Sequence, residues 1–410
     1  MPISSSPTRR RVLAGAAALA LAPRAFAQAA PGMRGDGRLV VVFLRGAVDG
    51  LSLFVPWADP EYARLRPGIA LPAPDGSAQA ALKLDARFAL HPALAELLPL
   101  WQQGRLAVIP AAGSPDPTRS HFDAQYDWET ARLGHRSDAP GWLNRLAGLA
   151  GSAGRVHALG VGESNPRILA GPAHVKLVRP GRAAQRAGAL QNPQARAALM
   201  ALYDGPDDLS KAFREGAGSR LQTAHELQRE MQAADNGAAA PDRLVQDARN
   251  LGTLMRQERS LRIGFLSAGG WDTHANQGSA SGQLATNLRK LGAALAQLAR
   301  DFDAPGDVIV MASEFGRTAS ENGSRGTDHG HGNAMWLLGP RVAGGRWWGE
   351  WSGLAAANLH EQRDVPVHHD FRAVLAQVLR PGFGLSDAQL AEVLPDTRWD
   401  ARLDGVLRRA

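Results

Sequence analysis

The chain has 410 residues, no cysteine, 44% hydrophobic and 21% charged residues, and 46 Lys and Arg against 39 Asp and Glu. These figures exclude collagen-like, disordered and disulfide-stapled chains and describe an ordinary globular composition. Four of the formal charges of +7 are Arg9, Arg10, Arg11 and Arg24, which leaves +3 on the remainder, too little for a nucleic-acid footprint.

The N-terminus reads as an address. A Ser-rich head, Thr8-Arg9-Arg10-Arg11-Val12-Leu13, an apolar run over 12–22 and Ala25-Phe26-Ala27 form a signal peptide over residues 1–27, too short to span a membrane. The paired arginines, one residue before Val-Leu, point to the twin-arginine route over a generic secretory signal, with the twin-arginine translocation machinery as partner and the periplasm as destination. No later apolar run approaches the length of a membrane span, so the mature chain is expected to be soluble, and without linker composition that forces a second domain it is expected as a single domain over 28–410. Without cysteine in an oxidising compartment, any metal must be held by His and carboxylates.

In chain order, 39–44 is a Val-rich apolar run too short for a helix, hence a strand buried on both faces, followed by a loop ending in Asp49-Gly50. Residues 92–103 predict a helix with Pro92 in its first turn and Gly104 as its stop, 106–109 a strand, and 121–133 a helix after the loop 115–120. The Ala-, Arg- and Gln-rich stretch 183–260 predicts a helical insertion or cap. Strand 261–266, helix 283–302, strand 307–311, the apolar run 334–338 and helix 371–379, capped by Asp370, complete the pattern. Alternating strands and helices imply an α/β fold with a mostly parallel sheet covered on both faces. Ligands of such sheets gather beyond the carboxyl ends of the strands. There the sequence delivers Asp49, Ser120, Asp272 with His274, and Glu314.

The densest constellation is Gly326-Thr327-Asp328-His329-Gly330-His331-Gly332, three metal-capable side chains among glycines that let the backbone turn tightly; a hydrogen-bonded turn is the alternative. In Gly270-Trp271-Asp272-Thr273-His274 the acid and imidazole fall on one side of an extended backbone, as shared ligands of one ion or as an Asp orienting a His. Glu314 is followed by Arg317, suited to an anionic oxygen pair or to a salt bridge with Glu314 or Glu321. Ser120, before His121 at a helix start, is either an N-cap or a nucleophile facing the positive end of the dipole. There is no Gly-x-Ser-x-Gly elbow, Walker loop or dinucleotide fingerprint. Isolated histidines such as His91 are set aside, and His368-His369 is an outer candidate.

Leu44-Arg45-Gly46 through Asp49-Gly50, Leu90-His91-Pro92, Ser120-His121-Phe122, Gly270-Trp271-Asp272-Thr273-His274, Ser313-Glu314-Phe315-Gly316-Arg317-Thr318 and Gly326-Thr327-Asp328-His329-Gly330 resemble, in order, hallmarks of the bacterial proteins grouped as domain of unknown function 1501. That family is similar to the alkaline phosphatase and sulfatase superfamily. The resemblance implies a three-layer α/β/α fold, a site for one or two divalent ions (zinc first; manganese, iron or calcium as alternatives), and a small anionic phosphate or sulfate ester as substrate. Carried over by position, Ser120 resembles the nucleophile, with His121 and Arg317 beside it, and Asp49, Asp272 and His274 resemble metal ligands. Two threadings compete for the remaining ligands: Asp328-His329 as an Asp-His pair, or Glu314 at the strand end with His329 or His331 as the final His. In the second, Phe315 stands where a His is expected, and the alternative function is a non-catalytic exported binding or assembly protein.

Overall fold

The computed structural model describes Met33 and residues 37–134, 138–150, 155–163, 166–178 and 234–408. The expected signal peptide and the expected helical insertion up to residue 233 lie outside the described residues.

Among the described residues the main sheet has nine strands: β1 (Leu39–Leu44), β2 (Leu106–Gly113), β3 (Ala158–Val161), β4 (Val175–Val178), β5 (Ile263–Ala268), β6 (Val308–Ser313), β7 (Asn333–Leu338), β8 (Arg346–Trp347) and β9 (His369–Asp370). Its order is β8-β2-β7-β6-β1-β5-β3-β4, with β9 also on β2. Pairings are parallel except those of β7, which runs against both β6 and β2. Three short strands, Phe54–Val55, Leu82–Lys83 and Ala89–Leu90, form a separate sheet.

Successive residues of β1 explain the layering. Val41 and Phe43 enter one apolar cluster and Val40, Val42 and Leu44 another, as side chains alternate across a strand. Helices α1 (His121–Thr130), α2 (Trp142–Leu149), α5 (Phe371–Phe383) and α6 (Asp387–Val393) close the first face; α3 (Leu244–Gln257) and α4 (Gln283–Asp301) close the second. Every residue of β1 is fully buried, and each such large aliphatic side chain contributes about 1.5–3 kcal/mol. This mixed α/β architecture with a mostly parallel sheet is the fold class expected. Among the described residues no helix is long and apolar enough to cross a membrane.

Some boundaries differ from the sequence expectation. The helix over 92–103 is a 3-10 helix, Pro92–Leu97, running into an α-helix, Leu98–Gln102, with Leu94 outside helical φ/ψ. Pro99 explains the break, since it lacks the N–H that a continuous ladder would use at that point. Strand 106–109 extends to Gly113, while helix 121–133 stops at Thr130, where Ala131 turns left-handed at φ 53°. In the described part of the 183–260 stretch, α3 lies on the sheet in the second cluster.

Register places the loops. Leu44 is level with Ala268 of β5 and Ser313 of β6 in the parallel ladders, so the chain leaves these three strands at one edge. Because β7 is antiparallel, its first residue, Asn333, lies at that edge opposite Ala112, near the end of β2. Segments 45–49, 114–121, 269–274, 314–318 and 326–332 therefore meet on one rim.

Candidate metal centre

The rim segments approach closely enough that side chains would obstruct them. A Cβ on Gly316 would lie 1.8 Å from the Gly332 carbonyl oxygen, one on Gly330 2.4 Å from the Arg317 carbonyl carbon, and one on Gly326 2.3 Å from that of His274. None of these three glycines has a positive φ, so their use here is close backbone approach and not the tight turning expected from sequence. The approach lets Arg317 and His329 form a bridge and aligns the two motifs.

Three imidazoles and one carboxylate converge on this frame. His329 Nε2 lies 3.0 Å from His121 Nε2 and 3.0 Å from His274 Nε2. Asp272 Oδ1 lies 2.9 Å from His274 Nε2, 3.3 Å from His329 Nε2 and 3.6 Å from His121 Nε2. Asp272 is buried, and its other oxygen, Oδ2, has no hydrogen-bond partner among the described residues.

The groups behind these rings fix what they present. His329 Nδ1 is 2.9 Å from the Arg119 carbonyl, which can only accept, so Nδ1 carries the hydrogen and Nε2 presents its lone pair. His121 Nδ1 donates to Glu314 Oε1 at 2.8 Å, and His274 Nδ1 faces Asp328 Oδ1 at 3.4 Å. Neutral imidazoles held this way direct lone pairs at one another across 3.0 Å, a repulsive arrangement unless a proton or a cation lies between them. Nitrogen and oxygen donors at this spacing, each oriented from behind, suit a transition metal ion. His121, Asp272 and His329 have ligand atoms within 4.8 Å of one another and could hold one.

The charge pattern agrees. Burial works against His121 protonation, but hydrogen bonds to Asp272 and Glu314 raise its pKa to about 9. The His274 pKa is raised chiefly by its bond to Asp272. Burial would raise the Asp272 pKa, yet the three histidines and Arg317 hold it far below the usual carboxylate range. The pocket thus stabilises positive charge around one buried anion, and the ion it would admit competes with protons for the same nitrogens.

Glu314 stands one layer back. It is fully buried, its Oε1 accepts from Gly46 N at 2.7 Å, His121 Nδ1 and Gln125 Nε2 at 2.9 Å, and its Oε2 lies 2.9 Å from Ser313 Oγ. Burial opposes ionisation, but the bond with His121 leads a set that holds its pKa at about 2. Gln125, four residues after His121 on α1, takes Arg45 Nη1 on its Oε1 at 2.7 Å, which turns its amide nitrogen toward Glu314. Arg45 is itself buried between Glu129 and Glu163.

The other expected site residues fall elsewhere. Asp49 is buried and saturated by Arg66 at 2.6 and 3.0 Å, Ser52 Oγ at 2.6 Å and Gln277 Nε2 at 2.7 Å, and it does not join the cluster. Arg317, 2% exposed, donates Nε to Ala47 O at 2.6 Å and Nη1 to Thr327 O at 3.2 Å, and pairs with Asp272 instead of Glu314 or Glu321. Its fork ties three loops together and is not open to an anionic oxygen pair. Asp328 is half-exposed and accepts from Asn322 Nδ2 at 2.9 Å. His331 turns away, its Nε2 donating to Ser114 O at 3.0 Å. Ser120 is exposed and caps α1, its Oγ accepting from Asp123 N at 3.4 Å. Phe315 stacks on His121, ring centroids 4.8 Å apart. Sequence reading missed Gln125 and the Arg119 carbonyl; the i, i+4 spacing of His121 and Gln125 was the available signal for the first.

A family model described as "Protein of unknown function (DUF1501)" matches residues 36–397. The chain belongs to the DUF1501 family. The centre of this DUF1501 chain is built from the Ser120-His121, Trp271-Asp272-Thr273-His274 and Asp328-His329 motifs, all inside the matched span. No curated protein matches the chain. Among solved structures it is similar to the lipoteichoic acid synthase LtaP from Listeria monocytogenes, at 9% identity and a TM-score of 0.36, over 76% of this chain and 67% of that one.

Proposed function

We propose that this protein is an exported, metal-dependent hydrolase of phosphate or sulfate esters. The observation that carries the metal is the convergence of three imidazole Nε2 atoms and the Asp272 carboxylate, with contacts of 2.9–3.6 Å. A divalent ion held by His121, His274 and His329, with Asp272 as a fourth donor, would supply Lewis-acid charge to a substrate oxygen. Three imidazoles favour zinc and leave it one open position; with Asp272 ligating, a six-coordinate ion such as manganese or iron keeps two.

The chain's own residues supply orientation and burial. Glu314, the Arg119 carbonyl and Asp328 hold the three rings, and Arg317 holds Asp272. Ser120 is exposed one residue before His121; as nucleophile its Oγ would bond to phosphorus or sulfur while the ester bond breaks, its proton passing to the leaving alcohol, and water would then cleave the seryl ester to release phosphate or sulfate. The test is hydrolysis of a panel of phosphate and sulfate esters by wild type and Ser120→Ala. Loss of turnover in the variant, with metal retained, supports the proposal; full turnover in the variant removes Ser120 from it.

One observation favours a second reading, a binding or assembly protein on the same scaffold. The Ser120 hydroxyl accepts from Asp123 N at 3.4 Å as the cap of α1, a structural use of the group expected as nucleophile. A metal-loaded wild type that turns over no ester would favour that reading.

A further inference from the structure

We propose that the Arg119–Asp364 ion pair is a positioning clamp for the metal centre, holding two of its imidazole donors from outside the donor set. This rests on the metal reading above. Residues 114–120 form an irregular segment between β2 and α1, so its placement depends on anchors elsewhere in the chain. Two parts of the centre hang on it: the Arg119 carbonyl accepts from His329 Nδ1 at 2.9 Å, and His121 follows two residues later. The anchor is the Arg119 guanidinium, which donates through Nε at 3.1 Å and Nη2 at 2.7 Å to Asp364 Oδ2.

Asp364 is a firm partner because it is fully buried and its loop is stapled to the same rim. Ala319 N donates to Arg363 O at 3.0 Å and Thr318 bridges to Asp364, directly after Arg317, which holds Asp272. His360, from the same loop, packs its ring 4.5 Å from that of His331, two residues after His329. The loop over 360–364 therefore touches the segments that carry or hold His121, Asp272 and His329. Glu361 also accepts from Arg119, at 2.6 Å, but its side chain is 57% exposed and salt-screened.

A carbonyl behind a ligating histidine fixes its tautomer and direction, and loss of such a partner typically weakens metal binding about 10–100-fold. The test is zinc affinity of the full chain, stripped of metal and titrated against a chromophoric chelator. Arg119→Gln and Asp364→Asn are expected to bind zinc about 10–100-fold more weakly. Arg119→Lys, which keeps the charge, should recover part of the loss, and Glu361→Gln should stay within about threefold of wild type. Nitrogen NMR of labelled histidines supplies a readout that general destabilisation does not move: His329 holds one tautomer in the wild-type apo protein and mixes two in Arg119→Gln. Arg119→Lys gives the same readout should Asp364→Asn fail to fold. Wild-type affinity and an unmixed His329 tautomer in Arg119→Gln, alongside a His329→Ala variant that loses zinc, would overturn the clamp and leave the metal reading intact. Failure of the wild type itself to bind zinc, manganese or iron would overturn both.

Discussion

Glu314 and His91 show two uses of a buried titratable group. Glu314 accepts from Gly46, His121 and Gln125 on one oxygen, so its charge is spread over donors that hold the His121 ring in place. Glu314→Gln keeps the shape but removes the charge; metal affinity should drop about 10–100-fold in a chelator competition, with the fold retained. His91 is buried as a neutral ring, accepting from Ala93 N at 2.9 Å and donating to Ser279 O at 3.1 Å. Burial lowers its pKa to about 4. A depressed histidine contributes stability that is present above the unfolded pKa and is lost as pH falls through the folded one. The window is therefore pH 6.5 down to about 4, and the loss about 3 kcal/mol. His91→Asn keeps a cap acceptor without the titration, so urea unfolding of the variant should show a shallower loss of stability across that window. The motifs carrying Asp272, His274 and His329 were legible in the sequence, because acid and imidazole recur there beside glycine. Their neighbours' roles were not. A strand-end carboxylate can ligate an ion or pair with an arginine, and Asp49 meets Arg66 while Glu314 meets His121, 193 residues away. Short-range pattern carries no information about such partners.

Elements deliver these residues through register and close approach. Strands β1, β5 and β6 were readable as apolar runs because both faces are covered, and their level ends put three motif loops on one rim. The antiparallel sense of β7 was not readable, since a short buried run looks the same in either direction; yet that sense brings the 326–332 loop to the rim. Gly316→Ala tests the frame: its Cβ would meet the Gly332 carbonyl oxygen at 1.8 Å, so the 314–318 and 330–332 segments must part. Overpacking of this kind costs about 3 kcal/mol, read as a lower urea midpoint, and should reduce metal content by separating His329 from His121. Retained metal with an unchanged midpoint would mean that the rim yields without moving its donors.

At the scale of the whole molecule, one three-layer α/β body gathers donors from α1, from the loop after β5 and from the loop before β7 at a single edge of the sheet. Fold class followed from composition and alternation; the donor set needed the folded chain, since His121 stands 151 residues before Asp272 in sequence. Export is proposed separately, from the N-terminal address alone. Replacing Arg9 and Arg10 with lysine should leave the protein in the cytoplasm on cell fractionation, whereas normal export would point to a generic secretory signal. The most direct measurement on the centre is metal content by mass spectrometry of the purified wild type beside a folded variant with Asp272, His274 and His329 all changed to Ala. About one equivalent of a transition metal in the wild type and none in the variant is the expected result. Equal metal in both, or none in a wild type offered zinc, manganese and iron, would contradict the assignment of His121, Asp272, His274 and His329 as a metal centre.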